Sequence, residues 1–106
     1  SSAASDVYKR QPSIEVLKAF VKLLMDRYNV SGEFHEGIVG NIYLQLEVSD
    51  SLDPMKVKKV VPHAGMALLS GENSRILSIR IVEDDEVVLT FSEFLSLLDV
   101  VSGGSG

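Results

Sequence analysis

The stretch from residue 75 to residue 101, RILSIRIVEDDEVVLTFSEFLSLLDVV, limits the fold more than any other part of the chain. Its first residues alternate between apolar and polar side chains. This alternation predicts a strand with one buried face, because successive side chains of a strand point to opposite sides of the sheet. We expect the buried face to carry Leu77, Ile79 and Ile81, and the opposite face to carry Ser78 and Arg80.

A turn, a second strand and a helix are predicted to follow. The run Glu83–Glu86 is entirely acidic and lacks the glycine that two-residue hairpin turns prefer, so we expect a longer loop built on a type I turn. Thr90 and Glu93 have the spacing of a capping box, which predicts that a helix begins there and folds back over the sheet. The second strand would continue the buried face through Val87, Leu89 and Phe91.

The first third of the chain predicts a helix followed by a strand. Apolar side chains recur at helical spacing from Ser13, which can act as the N-cap, to Asn29. The apolar arc is broad, and it predicts contact with the sheet on one side and with another helix or a second chain on the other. We favour burial within one domain over a dimer face. Alternating residues predict a strand over Asn41–Val48, whereas Glu33–Gly40 is open between a loop and a short strand that forms a hairpin with it.

The middle of the chain predicts a short helix and a further strand. Asp53 and Pro54 suit the N-cap and the first position of a helix that Pro62 ends. We expect a strand over Ala64–Leu69 and a glycine-containing turn over Ser70–Ser74.

These elements predict a single two-layer α+β domain over residues 12–101, with the order α-β-α-β-β-β-α. Its antiparallel sheet would have about four strands, with the helices packed on one face. Ser1–Gln11 resembles the in-frame translation of a common sequencing-library adapter, so we expect a non-native leader, a metagenomic source and a start codon farther upstream. Residues 102–106 predict a flexible tail, which is open between a natural linker and a cloning scar.

The charge of the chain bears on its partners. The net charge is −5 at pH 7, and leaving out Asp6, Lys9 and Arg10 of the leader makes it −6. An acidic protein repels nucleic-acid phosphates and anionic membranes, so we expect neither as a partner. The chain has no cysteine and no apolar run near the ~18–20 residues of a membrane span, and a cytoplasmic location is the expectation.

Residues with catalytic or metal-binding chemistry are sparse. His35 and His63 are the only imidazoles, and no nucleophile motif surrounds any serine. We therefore expect no enzyme activity and no cofactor; an enzyme using either histidine with a nearby carboxylate is the weakest hypothesis. Asp50 and Asp53 lack the pattern of a calcium loop, and Glu83–Glu86 is interpreted as a solvated turn, so no metal is expected.

The face of the sheet opposite the core is the candidate site. Its mixture of one tyrosine, one arginine and scattered apolar residues is typical of a partner surface, although an ordinary wet sheet face has the same composition. We expect a non-catalytic protein-interaction module or small complex subunit, with a protein partner or a homodimer. The alternative is a small-molecule-binding or sequestering protein, with a pocket at a homo-oligomer interface. The candidate residues are Tyr43, Gln45, Glu47, Ser78 and Arg80, together with Thr90, Ile76, Val82 and Val88.

Overall fold

A computed structural model of the chain describes residues 13–38, 40–72 and 75–103. Within these ranges an antiparallel sheet packs against helices on one of its faces, which confirms the predicted α+β fold. The predicted leader and the last residues of the predicted tail lie outside the described ranges. The elements in chain order are α1 (Ile14–Arg27), β1 (Gly32–Glu36), β2 (Ile42–Val48), α2 (Pro54–Val60), β3 (Met66–Ser70), β4 (Arg75–Glu83), β5 (Glu86–Val87) and α3 (Phe91–Val101).

Each helix begins at the cap that its sequence predicts. The Ser13 hydroxyl accepts a hydrogen bond from the backbone of Val16, and the Asp53 carboxylate accepts one from Met55. Thr90 and Glu93 form the full capping box: the backbone N–H of Glu93 donates to Thr90 Oγ1 at 3.1 Å, and the backbone N–H of Thr90 donates to Glu93 Oε1 at 2.9 Å. In the described residues these caps therefore determine where each of the three helices begins.

In the described part of the chain the sheet has five strands, in the order β1-β2-β4-β3, with β5 also paired to β4. The ambiguous segment before β2 forms a strand, because β1 pairs antiparallel with β2 from Gly32 opposite Leu46 to Glu36 opposite Ile42. The central pairing joins β2 to β4, and β3 and β5 share the other edge of β4. The order in the described residues, α-β-β-α-β-β-β-α, therefore has one strand more than the predicted order α-β-α-β-β-β-α, and this strand lies before β2.

The turn between β4 and β5 is tighter than expected. Glu83 pairs with Glu86, and Asp84 and Asp85 both have positive φ angles, 51° and 65°. These are the features of a two-residue type I′ turn, so the expected longer loop is wrong. Aspartate visits the left-handed region more readily than most residues, and a backbone hydrogen bond from Asp85 to Gly40 at 2.8 Å also holds the turn.

Replacing Asp85 with glycine is expected to raise the free energy of unfolding by about 0.5–1 kcal/mol, because glycine adopts a positive φ without a steric cost. The matched control is Glu86→Gly, which removes a carboxylate from the same tip but places glycine in strand β5, where it destabilises. Urea denaturation of both variants measures the difference. Equal effects would show that charge repulsion at the tip, and not the backbone conformation, determines the outcome.

One core lies between the inner face of the sheet and the helices. Leu44 and Leu46 of β2 and Leu77 and Ile79 of β4 are fully buried, as the alternation predicts. Two expectations about the core are wrong. Phe91 is 40% exposed, because it lies at the first position of α3 and not on a strand, whereas Val82 is buried in the core.

A bulge in β4 explains the position of Val82. Ile42 pairs with Val82 and Tyr43 pairs with Arg80, so Ile81 is the extra residue between them. An extra residue shifts the alternation by one position, which turns Val82 toward the core although Arg80 faces outward.

Arg75 at the start of β4 fixes the connection between β2 and α2. Its Nη2 atom donates to three backbone carbonyl oxygens, those of Ser49 at 3.2 Å, Asp50 at 2.8 Å and Leu52 at 2.6 Å. Hydrogen bonds from a charged donor are stronger than those between neutral groups. The loop that precedes α2 is thus tied to the central strand pair by one side chain.

Candidate interaction surface

The outer sheet face is the side of the sheet that the described helices leave uncovered. The buried residues of α1, α2 and α3 belong to the same core as the inward residues of β2 and β4, so these helices lie on the other side. The strands alternate, and their second set of side chains points away from that core. By register, the outer sheet face carries Glu33 and His35 of β1, Tyr43, Gln45 and Glu47 of β2, Ala67 and Leu69 of β3, and Ile76, Ser78 and Arg80 of β4.

The five candidate residues Tyr43, Gln45, Glu47, Ser78 and Arg80 all lie on this face and are neighbours on it. Tyr43 is the register partner of Arg80, and Gln45 is the register partner of Ser78. Glu47 follows on β2, opposite Ile76 of β4. Three further candidates lie elsewhere: Val82 is in the core, Thr90 caps α3, and Val88 follows β5.

Tyr43 and Arg80 form the best-defined contact on the outer sheet face. Arg80 Nη2 donates a hydrogen bond to the Tyr43 hydroxyl oxygen at 3.0 Å, and the guanidinium carbon lies 5.3 Å from the centroid of the tyrosine ring. Arg80 Nη1 also donates to a carboxylate oxygen of Glu83. The hydrogen bonds with Tyr43 and Glu83 raise the pKa of Arg80 above its usual value, so this side chain stays charged.

The geometry of Arg80 leaves donors for a further acceptor. A guanidinium has five N–H donors: the hydrogen bonds to Tyr43 and Glu83 use two, the Nε–H is buried without a partner, and two N–H groups on the Nη atoms are left. Tyr43 and Arg80 are each half-buried, so part of each side chain still faces solvent. The pair is therefore an anchored polar group at an uncovered surface.

Two open hollows flank Gln45 on the outer sheet face. The first, of about 360 Å³, lies toward the β1–β2 turn, and the second, of about 330 Å³, lies toward the start of β1. Both include residues of β1, a strand that the sequence left undecided. The first is lined by His35, Glu36, Gly37, Tyr43, Gln45 and Ser78, and the second by Ser31, Gly32, Glu33, Gln45, Glu47 and Ile76.

The chain matches no protein-family model, no curated protein and no solved structure. No functional residue is therefore carried over from a relative. The roles of Tyr43, Arg80 and their neighbours rest on the contacts that these side chains make in this fold.

The groups that catalysis or metal binding would need do not converge in the described ranges. Neither His35 nor His63 makes a hydrogen bond or an ion pair with a carboxylate there, and both side chains are exposed. The same part of the chain contains no group of three or more His, Asp or Glu residues placed to hold a metal ion. None of its helices is long and apolar enough to cross a membrane.

Proposed function

We propose that this chain is a non-catalytic protein-interaction module or small complex subunit that binds a protein partner through the outer sheet face. The Tyr43–Arg80 pair carries this proposal, because it is held on a face without a covering helix among the described residues. Tyrosine and arginine are enriched among the residues that contribute most to binding energy at protein interfaces.

The fixed position of Arg80 favours binding. A long side chain loses conformational entropy when a partner immobilises it, and this loss opposes association. Arg80 is already held by Tyr43 and Glu83, so less freedom remains to be lost. The unused N–H donors of its two Nη atoms suit a carboxylate or a backbone carbonyl of the partner.

The charges around Arg80 indicate the chemistry of the partner. The surrounding surface carries the carboxylates of Glu33, Glu47 and Glu83, all of which are exposed. Complementary interfaces oppose charges of different sign. A partner that presents an acceptor to Arg80 and basic residues at the rim would match this distribution.

A small-molecule-binding or sequestering protein is the second candidate. The two hollows beside Gln45 have volumes at the low end of the ~300–1,000 Å³ range of ligand sites. Ligand sites enclose most of their ligand, whereas these hollows lie open on the sheet, which favours a partner of protein size. A ligand that binds the native state would raise the melting temperature of the chain in a compound screen.

Selection of a phage-displayed random peptide library on the folded chain tests the proposal. The enriched peptides are expected to lose about tenfold or more in affinity on Tyr43→Ala or Arg80→Ala, because peptide selections converge on the residues that dominate binding. The control is Lys58→Ala, which removes a positive charge from exposed α2 on the helical side of the domain and is expected to leave binding unchanged.

The thermal unfolding of each variant is measured beside its peptide affinity. Tyr43→Ala and Arg80→Ala are expected to unfold cooperatively within a few degrees of the parent chain, since both residues are only half-buried. Peptides that bind both variants as tightly as the parent chain would refute the assignment of the outer sheet face.

A further inference from the structure

A second apolar stripe on α1 faces away from the core. The buried stripe is formed by Leu17, Val21 and Met25. The exposed one is formed by Val16, Phe20 and Leu23, which recur at helical spacing, and Leu23 is 60% exposed. A surface helix normally has one apolar stripe, directed at its own core, so the second stripe calls for a different contact.

The exposed stripe continues onto α3. The rings of Phe20 and Phe91 lie with their centroids 4.8 Å apart and their planes inclined at 52°, which is a favourable aromatic geometry. Leu95, one helical turn after Phe91, is also exposed. The two helices therefore share one surface, the α1–α3 apolar patch, formed by Val16, Phe20, Leu23, Phe91 and Leu95.

The size of the α1–α3 apolar patch approaches that of a dimer interface. The exposed fractions of its five side chains correspond to roughly 400 Å² of apolar surface, within the range of the largest patch on a typical monomer, which is often functional. A standard interface buries about 800 Å² per partner, of which about 65% is apolar in homodimers. The patch supplies most of that apolar area, and the polar residues beside it supply the rest of the total interface area.

We propose that the α1–α3 apolar patch binds a second copy of this chain, with α1 antiparallel to α1 of the copy. The charges beside the stripe favour this occupant. Glu15 and Lys22 are seven positions apart, nearly two helical turns, and therefore lie on the same side of α1. In an antiparallel pair related by a two-fold axis, Glu15 meets Lys22 of the second copy, and Lys22 meets its Glu15.

The arrangement of apolar residues agrees with the same axis. An axis near Ala19 places Val16 opposite Leu23 of the second copy. On the other side of the axis, Leu23 lies opposite Val16 of the second copy. Ala19 is exposed and small, so the helices can approach closely where they cross. In a parallel pair the two-fold axis would place the Glu15–Lys22 sides of the two helices at opposite edges of the interface, so these charges would not meet.

The proposed dimer is independent of the proposed function. The α1–α3 apolar patch lies on the helical layer, whereas Tyr43 and Arg80 lie on the outer sheet face. Loss of one contact therefore leaves the other surface intact, and the two proposals can fail separately.

Sedimentation velocity of the full chain, from low micromolar to several hundred micromolar, tests the dimer. We expect a reversible dimer of the 11.6 kDa chain. Leu23→Glu is expected to raise the dimer dissociation constant at least about 30-fold, because it buries a charge in the interface. The control is Leu69→Glu, which places the same charge at a 49% exposed leucine of the outer sheet face and is expected to leave the dimer intact.

Two further variants make the test specific. Leu95→Glu alters the patch from α3 and is expected to weaken the dimer in the same way as Leu23→Glu, with circular dichroism showing that both variants fold. Glu15→Lys is expected to weaken the dimer about threefold, and Glu15→Lys with Lys22→Glu to restore it, because the antiparallel pair exchanges its charges. A chain that stays monomeric at every concentration, a dimer insensitive to Leu23→Glu, or a dimer dissociated by Leu69→Glu would each overturn the proposal.

Discussion

Replacing Phe94 with alanine is expected to lower the free energy of unfolding by about 3–5 kcal/mol. Phe94 is 2% exposed and lies on the buried face of α3 with Leu97 and Leu98. Removing its ring loses the transfer free energy of the buried carbon atoms and leaves a cavity that the surrounding side chains fill only in part. Chemical denaturation at equilibrium measures the change, which is a large fraction of the stability of a small domain.

Phe91→Ala is the matched control. The residue type and the helix are the same, but Phe91 is 40% exposed and contacts Phe20 at the surface. We expect a loss of about 0.5–1.5 kcal/mol, the range measured for an aromatic pair. Equal losses for the two phenylalanines would contradict the assignment of Phe94 to the core and of Phe91 to the surface.

Replacing Arg75 with methionine is expected to lower the free energy of unfolding by about 2–3 kcal/mol. Methionine keeps much of the length of the side chain but removes the donor that serves the carbonyls of Ser49, Asp50 and Leu52. The Leu52 carbonyl is partly buried and would lose its charged donor, whereas the two exposed carbonyls can turn to water. The expected loss of free energy of unfolding is therefore smaller than the contribution of three hydrogen bonds.

Arg80→Met provides the comparison for Arg75. Both arginines are on β4, but Arg80 bonds to the side chains of Tyr43 and Glu83 near the surface. Surface ion pairs contribute little, so Arg80→Met is expected to lower the free energy of unfolding much less than Arg75→Met does. Denaturation curves of the two variants measure the difference, and a loss for Arg80→Met as large as that for Arg75→Met would contradict the described role of Arg75.

The parts of the fold that follow from local sequence could be predicted. The caps at Ser13, Asp53 and Thr90 and the alternation of β2 depend on residues close together in the chain, and each is confirmed. The turn at Asp84–Asp85 and the bulge at Ile81 could not be predicted in the same way. Their geometry depends on contacts with the β1–β2 loop and on the register with β2, which are distant in sequence.

The candidate site shows the same division. Alternation alone places Tyr43, Gln45 and Glu47 on one face, and the register with β4 brings Ser78 and Arg80 beside them, as the sequence predicted. The sequence did not indicate the hydrogen bond from Arg80 to Tyr43, because α2 and β3 lie between β2 and β4 in the chain. It also missed the contribution of β1, whose sequence GEFHE has too little apolar alternation to predict a strand.

The candidate site forms during folding only when β2 pairs with β4. Two hairpins, β1–β2 and β3–β4, each close over a short stretch of chain. Tyr43 and Arg80 are instead 37 positions apart, so their contact forms over a much longer loop. The first hairpin carries Tyr43, Gln45 and Glu47, and the second carries Ser78 and Arg80. A protein bound at Tyr43 and Arg80 would hold the two hairpins together, so binding would favour the fully assembled domain over any form in which they have separated.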